Sequence, residues 1–173
     1  MIRKGTEQDI PHIAAIYEHI HDNEESGRSI VGWIRGVYPT ADTARAALEA
    51  DDLFVMEENG AVVAAARINK IQVPVYADVP WRYLDVPDEQ VMVLHTLVID
   101  PDEKGKGYGR EFVAFYEEYA SRSGCTCLRM DTNARNEGAR RLYRHLGYRE
   151  AGIVPCVFNG LAGVELVMLE KKL

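Results

Sequence analysis

At 173 residues with a formal net charge of −7, the chain is long enough for one domain with an ordinary buried core, and too acidic for nucleic acid to be its general partner. Hydrophobic residues at 47% and charged residues at 27% are those of a globular protein, and no apolar run approaches the roughly 18 residues that span a bilayer. Cys125, Cys127 and Cys156 lack Cys-x-x-Cys spacing and the five histidines form no His-x-x-x-His pair, so neither a disulfide framework nor a metal site is expected.

Met1 to Asp9 turns acidic where an export signal would become apolar, and a cytoplasmic setting is expected. Ile2-Arg3-Lys4 reads as a short edge strand. Thr6 then caps a helix whose Ile10, Ile13, Ala14, Tyr17 and Ile20 repeat at helical spacing. After an acidic turn at 22–27, Ile30, Trp33, Ile34 and Val37 suggest a second amphipathic stretch that Pro39 ends. Thr40 caps a third, short helix over 41–50. Leu53 to Glu57 predicts a strand, Asn59-Gly60 a hairpin turn, and Ala61 to Asn69 its antiparallel return. Ile71 to Asp88 combines Pro74, Pro80 and Pro87 with Tyr76, Trp81 and Tyr83, which excludes regular helix and predicts an ordered excursion. That excursion reads equally as a surface loop with a few packed rings or as one wall of a ligand site.

The stretch from Val91 to Tyr119 carries the strongest pattern. Val91 to Ile99 is a nearly continuous apolar run, read as a strand covered on both faces and stopped at Asp100-Pro101. Tyr108, Phe112, Tyr116 and Tyr119, widened by Val113 and Ala120, predict a helix packed on the sheet. Between them lies the glycine-rich, basic turn Lys104, Gly105, Lys106, Gly107, Tyr108, Gly109, Arg110. Glycine admits positive φ, and the first amides of a helix lack intrahelical partners, so strand, turn and helix start form an anion cradle. The cradle is not a P-loop, because no Lys-Ser or Lys-Thr pair occurs in the chain. It is not a dinucleotide fingerprint either, because Gly105-x-Gly107 is followed by Gly109 and Arg110.

Downstream, Thr126 to Asp131 predicts a strand, Asn133 to Asn136 a polar turn and cap, and Ala139, Leu142, Tyr143 and Leu146 an amphipathic helix ending at Gly147. Two last strands, Ile153 to Phe158 and Val164 to Glu170, meet around Asn159-Gly160.

Two of these segments resemble the signatures of the GNAT acetyltransferase superfamily. Lys104-Gly-Lys-Gly-Tyr-Gly109 is similar to its pyrophosphate loop, with Lys104 in place of the usual Arg or Gln. Asn136-Glu-Gly-Ala139-Arg-Arg-Leu142-Tyr143-Arg-His-Leu146-Gly147-Tyr148 resembles its second motif at every fixed position. The resemblance implies an α/β (α+β) fold over residues 1–173 as a single domain. Its sheet is mixed, mainly antiparallel and twisted, with splayed central strands and helices on both faces. It further implies acetyl-CoA as cosubstrate, with no metal, and transfer of an acetyl group to a primary amine on a small molecule or peptide. Neither nucleic acid nor membrane is an implied partner, and the apolar final strands are candidates for a homodimer contact. A non-catalytic acyl-CoA sensor of the same fold is the alternative.

By the same resemblance, the amides from Lys104 to Arg110 hold the pyrophosphate. The backbone of Leu97, Val98 and Ile99 pairs with the pantetheine arm, Asn136 meets its cysteamine end, and Tyr143 is the general acid. Amine attack on a thioester needs a neutral amine, a donor to the oxyanion and a proton for the departing sulfur. The amide of Val98 suits the second need, and a phenol suits the third. For the base, His95 stands inside an apolar strand, sharing a face with Val93, Leu97 and Ile99 under period two. It reads either as that base or as a hydrogen-bonded core residue. Glu24, Glu25, Asp85 and Glu89 are weaker candidates from loops.

Overall fold

A computed structural model describes residues 1–173. It contains one seven-stranded sheet of β1 (Ile2–Lys4), β2 (Leu53–Glu58), β3 (Ala61–Asn69), β4 (Val91–Ile99), β5 (Cys127–Asn133), β6 (Arg149–Phe158) and β7 (Leu161–Lys172), in the order β1-β2-β3-β4-β5-β7-β6. The helices are α1 (Ile10–Glu25), α2 (Ala41–Glu49), α3 (Tyr108–Arg122) and α4 (Glu137–His145). β4 with β5 is parallel, whereas β1 with β2, β2 with β3, β5 with β7 and β6 with β7 are antiparallel, so the sheet is mixed. The chain divides into two compact units, one of Met1–Ile68 with His95–Val113, the other of Asn69–Leu94 with Ala114–Leu173.

The first unit starts as its sequence predicts. Ile2–Lys4 forms an edge strand, and one 3-10 turn over Glu7–Asp9 leads into α1. The Asp9 carboxylate accepts from the amide and hydroxyl of Thr6, at 2.8 and 2.9 Å, and from both terminal nitrogens of Arg3. Ile10, Ile13, Tyr17 and Ile20 of α1 pack with Leu53 and Val55 of β2, Ala65 of β3, Ala44 and Ala47 of α2, and Val98 of β4. Each large aliphatic side chain removed from water here contributes about 1.5–3 kcal/mol, and the alanines of α2 let its backbone lie close. Asn59 and Gly60, at φ +52° and +78°, close the β2–β3 hairpin in the left-handed geometry that a two-residue turn requires.

The stretch from Ile30 to Val37 is not helical, contrary to its periodicity. Ile34 and Tyr38 form an isolated antiparallel bridge, and Ile30, Ile34 and Val37 are exposed. Gly32 and Gly36 take φ +82° and +73°, which a right-handed helix cannot contain. The segment is instead held by polar contacts. Glu24 accepts from the amides of Val31 and Gly32, and the Arg35 guanidinium meets Glu18, Asp22 and Glu25 on α1. Glu24 and Glu25, named above as weak base candidates, are therefore engaged structurally.

In the second unit, the parallel ladder joins Val91–Leu94 to Cys127–Met130, and β7 runs antiparallel to β5 from Leu166 to Lys172. β6 and β7 are longer than their apolar cores suggested. Pro155 lies inside β6 without ending it, because β6 is the outer strand and needs no donor on its open side. The excursion after β3 is ordered: Tyr76, Val79 and Trp81 are buried against Val91, Val93, Cys127, Leu166 and Met168. Trp81 Nε1 donates to the Tyr76 carbonyl at 2.9 Å, and the Arg129 guanidinium lies 4.4 Å over the Trp81 ring. Glu170, fully buried, accepts from the Arg82 amide at 2.8 Å and from Arg149, fastening the end of the excursion to β7.

Candidate active site

In the first unit the glycine-rich turn is built by one bond to β3 followed by a chain of short-range bonds. The Asp100 amide donates to the Val63 carbonyl at 2.9 Å, and its carboxylate accepts from the Asp102 amide at 3.0 Å, starting a 3-10 turn over Pro101–Glu103. The amides of Lys104 and Lys106 donate to the carbonyls of Pro101 and Glu103, so these two of the seven expected phosphate-facing amides are engaged within the turn. Gly105 and Gly107 both take φ +88°, a conformation that L side chains rarely adopt, and a Cβ on either would meet nothing within 4 Å. The turn is thus open on the side where those hydrogens point.

The first bond of α3 runs from the Glu111 amide to the Gly107 carbonyl at 3.1 Å. Tyr108, Gly109 and Arg110 precede it, so their amides head the helix without intrahelical acceptors and carry its positive end. Lys104, Lys106 and Arg110 are exposed around this head, with Lys106 Nζ held 2.6 Å from Glu103. The fifteen residues of α3 are anchored by buried Phe112, Val113, Tyr116 and Ala120, whereas Tyr108 and Tyr119, also expected in that stripe from spacing, are half-buried. A diphosphate fits this donor set: five amides outside the turn's own bonds, two glycines that leave space, and three cationic side chains.

Close by in the same unit, His19 Nδ1 lies 3.0 Å from Asp100 and its Nε2 3.6 Å from Asp102. This histidine between two acids, drawn from α1 and from the turn before α3, was not foreseen because its members are some 80 positions apart in sequence.

The second half of β4 corrects one expectation. Val91 to Leu94 are buried, but His95, Thr96 and Leu97 are only half so, and the strand is not covered on both faces throughout. Thr96 takes φ +51°. A residue in that conformation interrupts the pleat, so the alternation that placed His95, Leu97 and Ile99 on one face with Val93 does not carry across it. The Val98 side chain is buried in the first unit's core, whereas Leu97 and Ile99 are half-buried. His95 is half-buried and interacts with its surroundings.

In the second unit, Asn136 caps α4 through Oδ1, which accepts from the Ala139 amide at 3.1 Å. Its Nδ2 donors are not part of that cap. Tyr143, two turns into α4, is buried, with its ring 6.0 Å from that of Tyr148 in an edge-on arrangement. Burial, reinforced by the charge of Asp131, holds its phenol well above the ordinary value of 10.0, so it stays protonated. Arg140 on the same helix binds Glu150 of β6 through two bonds of 2.9 and 2.8 Å, fixing the helix beside the strand. Asp85 and Glu89 are exposed on the excursion.

Sequence reasoning passed over one group here. The Tyr76 hydroxyl donates to Asp131 Oδ2 at 2.8 Å. Asp131, half-buried, directly follows the buried half of β5; burial raises its carboxyl above the usual carboxylate range, and none of the chain's ion pairs includes it. Its signal in the sequence was an acid closing a buried strand, which looks the same as a solvated strand end.

The acetyltransferase (GNAT) family model matches residues 13–148. The chain belongs to the GNAT family. An uncharacterized N-acetyltransferase of Methanocaldococcus jannaschii is 29% identical over 104 residues, covering 60% of this chain and 42% of that protein. The chain spans about half the length of the curated relatives it matches. Among solved structures, a GNAT-family acetyltransferase of Streptococcus agalactiae superposes with a TM-score of 0.80 at 20% identity, covering 100% of this chain and 95% of that one. A Salmonella typhimurium acetyltransferase described with its cofactor acetyl-CoA gives 0.69 at 22% identity, covering 99% and 92%. These likenesses establish the GNAT fold, with its mixed α/β sheet.

Proposed function

We propose that this GNAT chain is an acetyl-CoA-dependent N-acetyltransferase, working as one catalytic domain on a primary amine of a small molecule or peptide. The observation that carries the reading is the turn at 104–110, where two left-handed glycines deliver an open set of amides to the head of α3. The amides of Gly105 and of Gly107 to Arg110 grip the pyrophosphate, and Lys104 and Arg110 add charge around it. Leu97, Val98 and Ile99 offer backbone groups to the pantetheine amides as a neighbouring strand would. Asn136 offers its Nδ2 to the cysteamine end.

Acetyl-CoA supplies the thioester, and the protein supplies position and protons. The Val98 amide donates to the oxygen that becomes negative as the amine adds. The Tyr143 phenol gives its proton to the departing sulfur, a task that suits a group kept protonated by burial. His95, half-buried beside the interrupted pleat at Thr96, is a candidate to move a proton directly or through water. Three free thiols, Cys125, Cys127 and Cys156, support a reducing, cytoplasmic setting.

Free-thiol release from acetyl-CoA across a panel of primary amines tests the reading. Amine-dependent release is expected. Tight CoA binding with no release above background would identify a non-catalytic acyl-CoA sensor instead.

A further inference from the structure

The loop between α1 and α2 is fastened more firmly than its exposed apolar residues explain. Ile30, Ile34 and Val37 face water, yet Arg35 meets Glu18, Asp22 and Glu25, and Glu24 accepts from the amides of Val31 and Gly32. Buried His21 meets the Pro39 carbonyl through Nε2 at 3.2 Å. These contacts bracket Tyr38. Its amide donates to the Ile34 carbonyl at 3.0 Å and its ring stands edge-on to Trp33. Burial, and after it the neighbouring Tyr38, raises the phenol of Tyr17 on α1, so Tyr38 also backs onto that helix. The loop thus presents one hydroxyl in a fixed place, and that hydroxyl bonds Thr96.

Thr96 stands where β4 leaves its ladder. The register with β5 runs from Val91 to Leu94, and two residues later Thr96 takes φ +51°. Because each peptide is a rigid plane, a left-handed residue resets the direction of the amides that follow it. The first amides so redirected are those of Leu97 and Val98. Beyond them the segment is anchored by the buried Val98 side chain and by the Asp100 amide, which donates to the Val63 carbonyl at 2.9 Å. A β-branched residue holds positive φ only where its surroundings impose it, and Tyr38 supplies such a contact.

We infer that Tyr38 is a positioning residue for acyl transfer, which acts through Thr96 to aim the Val98 amide at the thioester oxygen. This rests on the acetyltransferase reading above. As the amine adds, its lone pair forms the C–N bond and the carbonyl π pair moves onto that oxygen. The amide hydrogen-bonds the growing charge, and its own proton is not transferred. Tyr38 touches neither reactant. Its effect falls on turnover rather than on cofactor binding, because the charge that the amide meets develops only in the transition state.

The test measures thiol release from acetyl-CoA with the fastest amine of the panel, together with CoA affinity by calorimetry and melting temperature. The variants are Tyr38→Phe, Thr96→Ser, Thr96→Gly and the double variant Tyr38→Phe/Thr96→Gly. Tyr38→Phe and Thr96→Gly are each expected to lower kcat about tenfold, with KM for acetyl-CoA and CoA affinity within about 3-fold of wild type. Thr96→Ser keeps the hydroxyl and should stay within about 3-fold in kcat. The double variant should be no more than about 2-fold slower than either single variant, because both changes remove the same contact. Thr96→Gly separates aiming from stability: it relieves the strained backbone, so it should remain folded and yet be slow. A kcat within about 3-fold of wild type for Tyr38→Phe or Thr96→Gly, losses that multiply in the double variant, or a loss carried by KM alone would overturn the assignment while leaving acetyl transfer intact. A wild type that releases no thiol with any amine would remove the acetyltransferase reading, and this one with it.

Discussion

The hydroxyl of Tyr38 hydrogen-bonds the hydroxyl of Thr96, the residue in the middle of β4 that takes φ +51°. Tyr38 is itself braced edge-on by Trp33, with ring centroids 5.7 Å apart. A β-branched residue in the left-handed region costs on the order of 1–3 kcal/mol and persists only where its surroundings impose it. The irregular loop between α1 and α2 thus helps hold the break in the strand. Thr96→Val keeps the strain and deletes the hydrogen bond, and should lower stability by about 1–3 kcal/mol. Thr96→Gly loses the same bond but relieves the strain, and should stay within about 1 kcal/mol of wild type. Denaturant midpoints decide it: a valine variant as stable as the glycine variant would show that the backbone at 96 is not under strain.

Gly107→Val separates the cradle from the fold. The added side chain meets no neighbour within 4 Å, so the core is untouched, but φ +88° is disfavoured by about 1–2 kcal/mol and the turn must rearrange. CoA affinity by calorimetry should fall about tenfold or more, while the melting temperature falls by only about 2–8 °C. Unchanged affinity would remove the cradle from the binding site.

Tyr143→Phe should reduce turnover by roughly 100-fold with CoA affinity nearly unchanged, because it removes a proton donor and no packing. Burial raises the phenol, so its ionisation should not limit the wild-type rate as pH rises toward about 10. A phenylalanine variant with the wild-type rate would assign protonation of the sulfur to another group or to water.

Asp9 sets an acid limit on the first unit. Hydrogen bonds from Arg3 first, then from Thr6, hold its carboxyl down to about 2 against an ordinary 3.8. A depressed carboxyl stabilises the folded state above its unfolded value, and that stabilisation disappears as pH falls from 3.8 toward 2. With the side chain 6% exposed, the effect is on the order of 1–2 kcal/mol. Asp9→Asn should be less stable than wild type near neutrality, and the gap should narrow across that window in pH-dependent urea unfolding. A constant gap would mean that the pair contributes nothing through charge.

The sequence by itself determined the elements whose information is local. Asn59-Gly60 made a hairpin because both residues tolerate positive φ. Pro101 ended β4 because it lacks a donor, and Gly105 and Gly107 marked a tight turn in which both take positive φ. Asn136, Tyr143 and Gly147 likewise fell where the spacing of α4 put them. What the tertiary structure decided depends on partners distant in the chain. The apolar spacing from Ile30 to Val37 matched a helix, but Glu24 and Arg35 hold it as an open loop over α1. Thr96 gives no local sign of its left-handed backbone, because the force that holds it there comes from Tyr38, 58 residues away. Asp131 acquires its character in the same manner, from Tyr76, 55 residues away, and from the burial around it: a carboxylate's environment is a property of three-dimensional enclosure, which periodicity along a chain does not encode.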